Sequence, residues 1–360
     1  MIDTQKGMEI GVYTLADLGP NPHTGETITT GQRIKEILEA AKLADEAGLD
    51  VFGVGEHHRL DYAVSSPQTV LSAISQVTKQ IKLTSATTVL NTADPVRLFE
   101  DFATLDLLSN GRAEIIAGRG AFIESFPLFG YDVNDYDELY EEHLELFLKL
   151  NKNERVTWNG RFRSPLQDAE IAPRPKQKSI PLSVGVGGTP ESAARAGRLG
   201  TDLTLVVLGG NPIRFKPLVD IYRKEAVKAG HPLVDLKITV AGHAFISKTT
   251  GQAKDDFYPY HSNYWKYLNR QRGMSTHMSR ADFELMAGPE TALFVGSSQQ
   301  IIEKIMHQYE LFGHQRFIAQ MDIGGMPFNK VAENIERLAT EVAPVIRRET
   351  GGKTHISQYF

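Results

Sequence analysis

Residues 81–120 read IKLTSATTVLNTADPVRLFEDFATLDLLSNGRAEIIAGRG, and the fold follows from how this stretch is parsed. A β-rich run at 81–88 gives way to Asp94-Pro95, an N-cap followed by a proline whose missing N–H costs nothing in a first helical turn. The apolar positions of 94–108 then recur at helical spacing, and Asn110-Gly111 supplies a left-handed stop before a second β-rich run at 113–117. A strand, a capped helix and a strand in succession form one crossover unit of a parallel sheet.

The unit repeats in both directions. Strands are predicted at 8–14, 50–54, 81–88, 113–117, 181–185, 202–207, 236–245 and 315–320, and helices at 31–47, 67–79, 94–108, 136–150, 190–199, 212–229, 297–311 and 328–347, with Gly48 ending the first. Eight such units close more readily into a (β/α)8 TIM barrel than into an open doubly wound sheet, because closure removes both edges. The open sheet is the main rival. Two stretches, 151–180 and 246–296, exceed ordinary connections and read as insertions into a single domain spanning 1–360. The second carries Tyr258, Tyr260, Tyr264, Trp265, Tyr267 and Phe283; these either cover the barrel mouth as a lid or pack a helical hairpin or subunit contact.

Composition narrows the function. The 360 residues are 41% hydrophobic and 23% charged, as in an ordinary globular enzyme. Thirty-nine Lys plus Arg against 44 Asp plus Glu leave a net charge of −5, without a basic run to track a phosphate backbone, so nucleic acid is not an expected partner. With no cysteine, disulfides, thiolate-bound metal and a thiol nucleophile are excluded. The opening MIDTQKGMEIGVYT has no basic segment leading into an apolar stretch, and no membrane-length apolar run follows; a cytoplasmic location is the default expectation.

In a barrel, chemistry gathers on the loops that follow the strands. After the second strand come Glu56, His57 and His58, a carboxylate and two imidazoles suited to proton transfer; the plain alternative is that either histidine satisfies a neighbouring backbone group. No partner set at metal-ligand spacing accompanies them, so no metal is expected. The third strand ends in small and hydroxylated residues, Ala86 and Thr87 among them, where a flat ring could lie against backbone. The fourth ends in Gly118-Arg119-Gly120, a guanidinium free to grip an anion. After the fifth, Gly187, Gly188 and Thr189 precede a helix beginning at Pro190: either exposed amides favour an anion there, or the glycine pair only turns the chain. The frame is neither a dinucleotide fingerprint nor a Walker loop. Val207 and Leu208, ending the sixth strand, would add an apolar wall.

Taken in order, these motifs resemble the bacterial luciferase-like flavin monooxygenases. Glu56-His57-His58, then Thr92-Ala93-Asp94-Pro95-Val96-Arg97 through Glu100-Asp101, then Leu105-Asp106 with Ser109-Asn110-Gly111-Arg112, and Gly118-Arg119-Gly120 with Phe129-Gly130, follow the family's succession. The resemblance implies a (β/α)8 barrel, commonly a dimer, that takes reduced flavin mononucleotide from a separate reductase and brings it to O2. It further implies His57 as the catalytic base, with Glu56 and His58 supporting it. Arg119 would contact the flavin phosphate, joined by Gly187, Gly188 and Thr189. A non-prolyl cis bond between Ala86 and Thr87 would lie beneath the flavin ring, near Gly120, Val207 and Leu208. Three departures bear on activity: luciferase has a cysteine where this chain has Gly118, a second phosphate-contacting arginine where it has Asp137, and an aromatic residue where it has Val207. A deazaflavin (F420) dependent hydride-transfer enzyme of the same superfamily and a non-catalytic flavin-binding protein are the alternatives.

Overall fold

The computed structural model describes residues 6–120, 122–271 and 278–352. Eight parallel strands run Glu9–Thr14 (β1), Val51–Val54 (β2), Lys82–Ser85 (β3), Ala113–Gly118 (β4), Leu182–Val186 (β5), Asp202–Val206 (β6), Ile238–Ser247 (β7) and Arg316–Gln320 (β8). Each pairs with its successor, and β8 pairs back onto β1, Glu9 beside Arg316 through Tyr13 beside Gln320, so the sheet closes in strict chain order. The closed barrel is the expected one, and the open sheet is excluded.

Local signals act as their chemistry dictates. Asp94 caps the Pro95–Leu108 helix by accepting from the Val96 and Arg97 N–H groups at 3.0 Å each, and Asn110 ends that unit with φ +62°. The third strand is shorter than 81–88: it breaks at a cis Ala86–Thr87 bond, after which Thr88–Val89 pairs with the end of β4. The last helix, expected over 328–347, is Phe328–Arg337, a π-helical turn at Leu338–Val342, and Ala343–Thr350.

The helical pieces of the second insertion follow its amphipathic sequence pattern; the strands in both insertions do not. The first contains an antiparallel hairpin, Arg155–Trp158 with Leu166–Glu170. The second contains a helix at Thr250–Gln271 that runs through Pro259, a short helix at Arg280–Met286, and a strand, Phe294–Ser297, which pairs in parallel with the Ala244–Ser247 end of β7. Its residues 272–277 lie outside the described residues. Of the six aromatics named above, Tyr260, Tyr264 and Phe283 are buried, together with Phe257, while Tyr258, Trp265 and Tyr267 are half-buried. Among the described residues no helix is long and apolar enough to cross a membrane.

Candidate active site

A cavity of about 210 Å³ opens at the C-terminal ends of the strands. Its near wall comes from the loops after β2, β3 and β4: Glu56, His57, Ala86, Thr87, Val89, Gly120 and Phe122. Its floor is Tyr13, Ile116, Thr204, Ala241, His243, Ile318 and Gln320, all strand residues, and Tyr264 and Leu268 of the Thr250–Gln271 helix cover it. That helix therefore caps part of the mouth while its other aromatic residues pack.

His57 stacks face to face on Tyr62, ring centres 3.9 Å apart at 9°, and meets Phe122 edge-on at 5.6 Å. Its Nδ1 has no hydrogen-bond partner among the described residues. Burial, then the nearby His58 and Arg59, push its pKa down to about 3, so the ring is neutral at physiological pH. The other two members of the cluster are coupled to each other: His58 Nε2 lies 2.9 Å from Glu56 Oε1, while Glu56 Oε2 accepts from the Val89 N–H at 3.1 Å. Glu56 thus fastens the loop after β2 to the loop after β3, and neither it nor His58 bonds His57.

Arg119 follows β4 and stands beside the loop after β5, its Nη2 donating to Thr189 Oγ1 at 3.3 Å, with Nη1 paired to Asp137 Oδ1 at 2.5 Å. Thr189 is the N-cap of the Pro190–Leu199 helix but makes no side-chain cap bond, so the hydroxyl is turned toward Arg119. Beside it a Cβ added at Gly187 or Gly188 would meet nothing within 4 Å, and Gly188 sits at φ +150°. Arg119, Gly187, Gly188 and Thr189 therefore form a rim cradle one residue from Gly120, which itself lines the cavity. Gly118 is required on steric grounds: a Cβ there would run into the Thr87 hydroxyl and Cβ, which take the volume a cysteine side chain would need.

Two expected contacts are placed otherwise. Val207 is completely buried and does not reach the cavity; Val206 and Leu208 do, because successive strand side chains alternate in direction. His58 lies outside the lining, edge-on to Phe129 at 4.9 Å. Conversely, sequence reasoning missed Tyr13, Tyr62, His243 and Gln320, whereas Tyr264 is one of the aromatics that one of its two readings placed over the mouth. For His243 a signal existed, a lone imidazole in the apolar run ITVAGHAFIS of β7. Among the described residues no group of three His, Asp or Glu side chains is placed to hold a metal.

The sequence pattern of the luciferase-like monooxygenases matches residues 8–315. The chain belongs to that family. It is 22% identical over 343 residues to the oxygenase component of the flavin-dependent trigonelline monooxygenase of Acinetobacter baylyi, covering 91% of this chain and 94% of that one. In fold it is similar to the oxygenating constituent of 3,6-diketocamphane monooxygenase from Pseudomonas putida, solved with FMN, at TM-score 0.75 and 20% identity over 94% and 98% of the two chains. An F420-dependent secondary alcohol dehydrogenase, solved with an F420-acetone adduct, is also similar, at TM-score 0.71 and 18% identity over 94% and 99%. At such identities the two structures speak for the barrel alone.

Proposed function

We propose that this family member is the oxygenase component of a two-component system, taking reduced FMN from a separate NAD(P)H-dependent reductase and using O2 to oxidise a small organic substrate. The observation that carries this reading is the continuity of the Arg119–Thr189 cradle, through Gly120, with the cavity holding His57. The residues fit FMN. A guanidinium, a hydroxyl and the open backbone of Gly187 and Gly188 offer a dianion its partners, and the small residues Ala86, Thr87 and Gly120 leave room for a flat ring.

Arg119 and the amides around Gly188 would hold the phosphate, and Ala86, Thr87, Gly120 and Leu208 would bound the ring. Reduced flavin supplies the electrons that activate O2. Tyr62, Phe122, Tyr264 and Leu268 keep bulk water out. His57, neutral and unpartnered at Nδ1, would hold the substrate proton there only transiently, because burial disfavours its imidazolium, and hand it back to the product. Glu56 and His58 hold the loop that presents it. We take residues 1–360 as one domain, acting as a cytoplasmic homodimer.

The test combines binding with reoxidation. FMN added to the protein should lose fluorescence on binding, and reduced FMN mixed with O2 should reoxidise at a rate different from that of free flavin. His57→Ala should lower turnover about 10²–10⁴-fold, the usual contribution of a positioned base, while leaving FMN affinity within twofold. No binding and an unchanged reoxidation rate would overturn the reading. Tight binding of F420 with hydride transfer and no O2 uptake would favour the deazaflavin alternative, and turnover indifferent to His57→Ala would favour a non-catalytic flavin carrier.

A further inference from the structure

The cavity floor carries polar atoms that the scheme above leaves unused. His243 of β7 and Gln320 of β8 are register partners, and Gln320 is in turn the partner of Tyr13 on β1, so polar side chains from three adjacent strands line one side of the barrel's upper interior in one layer. They are buried, at 1%, 0% and 6% exposure, yet all three face the cavity. Among the described residues nothing outside the pair bonds the ring nitrogens of His243 or the amide atoms of Gln320, and within it the Gln320 amide acts on the His243 ring. Natural proteins rarely leave buried polar atoms open, because each forfeits its bonds to water. If packing alone were at stake, apolar side chains would serve better, as Ile318 and Ala241 do alongside.

We propose that His243 and Gln320 form the recognition site for a neutral substrate group carrying a donor beside an acceptor, such as a lactam or secondary amide. The inference deepens the functional reading by naming a substrate class for the same cavity. Gln320 offers one N–H face and one carbonyl, and a neutral imidazole offers one donor and one acceptor, so the pair answers a carbonyl flanked by N–H. Among the described residues a charged group has no counterpart here: no Lys or Arg of theirs lines the cavity, their one carboxylate there, Glu56, is engaged by His58 and the Val89 N–H, and burial holds His243 neutral, its pKa pushed down to about 4. The floor strands β7, β8 and β1 lie across the ring from β4 and β5, whose loops carry the Arg119–Thr189 cradle. That placement leaves the floor to the substrate.

The flavin's pyrimidine edge has similar chemistry, so the test must separate the two. Binding of 2-quinolone, naphthalene and 2-naphthoate, bicyclic probes of like shape, is measured with and without FMN. The lactam should bind at least tenfold tighter than the hydrocarbon and the anion. Gln320→Leu should remove that preference while leaving naphthalene and FMN affinities within twofold, and Gln320→Met, closer in volume, should do the same if the leucine variant fails to fold. Equal binding of the three probes overturns the proposal, as does a variant that weakens FMN as much as quinolone, which would put the flavin on these groups. A lactam preference in protein that does not bind FMN sustains this site while the flavin reading falls.

Discussion

The two ends of the barrel treat buried polar groups in opposite ways. At the N-terminal ends of the strands, Arg316 is 4% exposed and spans two carboxylates, Glu9 at 2.7 Å and Glu114 at 2.5 Å, while Lys237 and Lys82 complete the ring around Glu9. Burial works to raise the Glu114 carboxyl, but Arg316, Lys82 and Lys237 together hold it down to about 2. At the C-terminal mouth, His57, His243 and Gln320 line a cavity with buried polar atoms that no other described residue pairs in this way. Charges paired on all sides belong to the fold; polar atoms without such partners are the ones the proposed function and substrate site call on. The difference separates stability from function within one sheet.

The comparison breaks hardest at Arg316. Arg316→Met leaves two partly buried carboxylates without their shared cation and should cost about 3 kcal/mol in urea unfolding, with FMN affinity unaffected wherever the chain is folded. Since Glu114 is depressed in the native state, the stability it contributes is present above an unfolded pKa of about 4.3 and is lost as pH falls toward 2. The variant should therefore lose most of that acid limb. An unfolding free energy within 1 kcal/mol of wild type would show that the ring is ornamental.

Much of this architecture was legible because its determinants are local. Asp94, Pro95, Asn110 and Gly111 state where one helix begins and ends, and the strand runs around them have no other pairing that closes a sheet. The loop residues His57, Thr87, Gly120 and Leu208 were also legible, since position just past a barrel strand is itself a signal. The floor was not. Tyr13, His243 and Gln320 sit within strands, where alternation says only that a side chain points inward and cannot distinguish packed interior from cavity. Val207 failed for a related reason: a phase error of one residue turns a strand side chain to the other face. The strand Phe294–Ser297 exists because β7 extends to Ser247 and offers it an edge, a tertiary cause that no local window contains.

Acid titration sharpens the contrast at the mouth. His243 has its pKa pushed down to about 4 by burial, with Gln320 pulling it partly back. A histidine depressed in the native state leaves stability unchanged above its unfolded pKa of about 6.5; below that the unfolded chain gains a proton that the native chain refuses, and stability falls until about pH 4. His243→Gln should flatten the stability curve over that window by about 1–3 kcal/mol, whereas Arg316→Met acts below it. Identical wild-type and variant slopes between pH 6.5 and 4 would mean that the imidazole is hydrated in the native state.

The smallest effects belong to the cradle, the one place where the two regimes meet, since Arg119 is both paired and meant to be available. Its partner Asp137 is 67% exposed, and an exposed ion pair is worth about 0–1 kcal/mol, so a phosphate displaces it at little cost. Asp137→Asn should then tighten FMN by no more than about fivefold. Arg119→Ala, which removes a charge-assisted donor, should weaken it about 10–100-fold. Riboflavin, identical in its ring but lacking the phosphate, should bind both variants as it binds wild type. If riboflavin loses affinity in step with FMN, the cradle shapes the loops after β4 and β5 rather than gripping the anion.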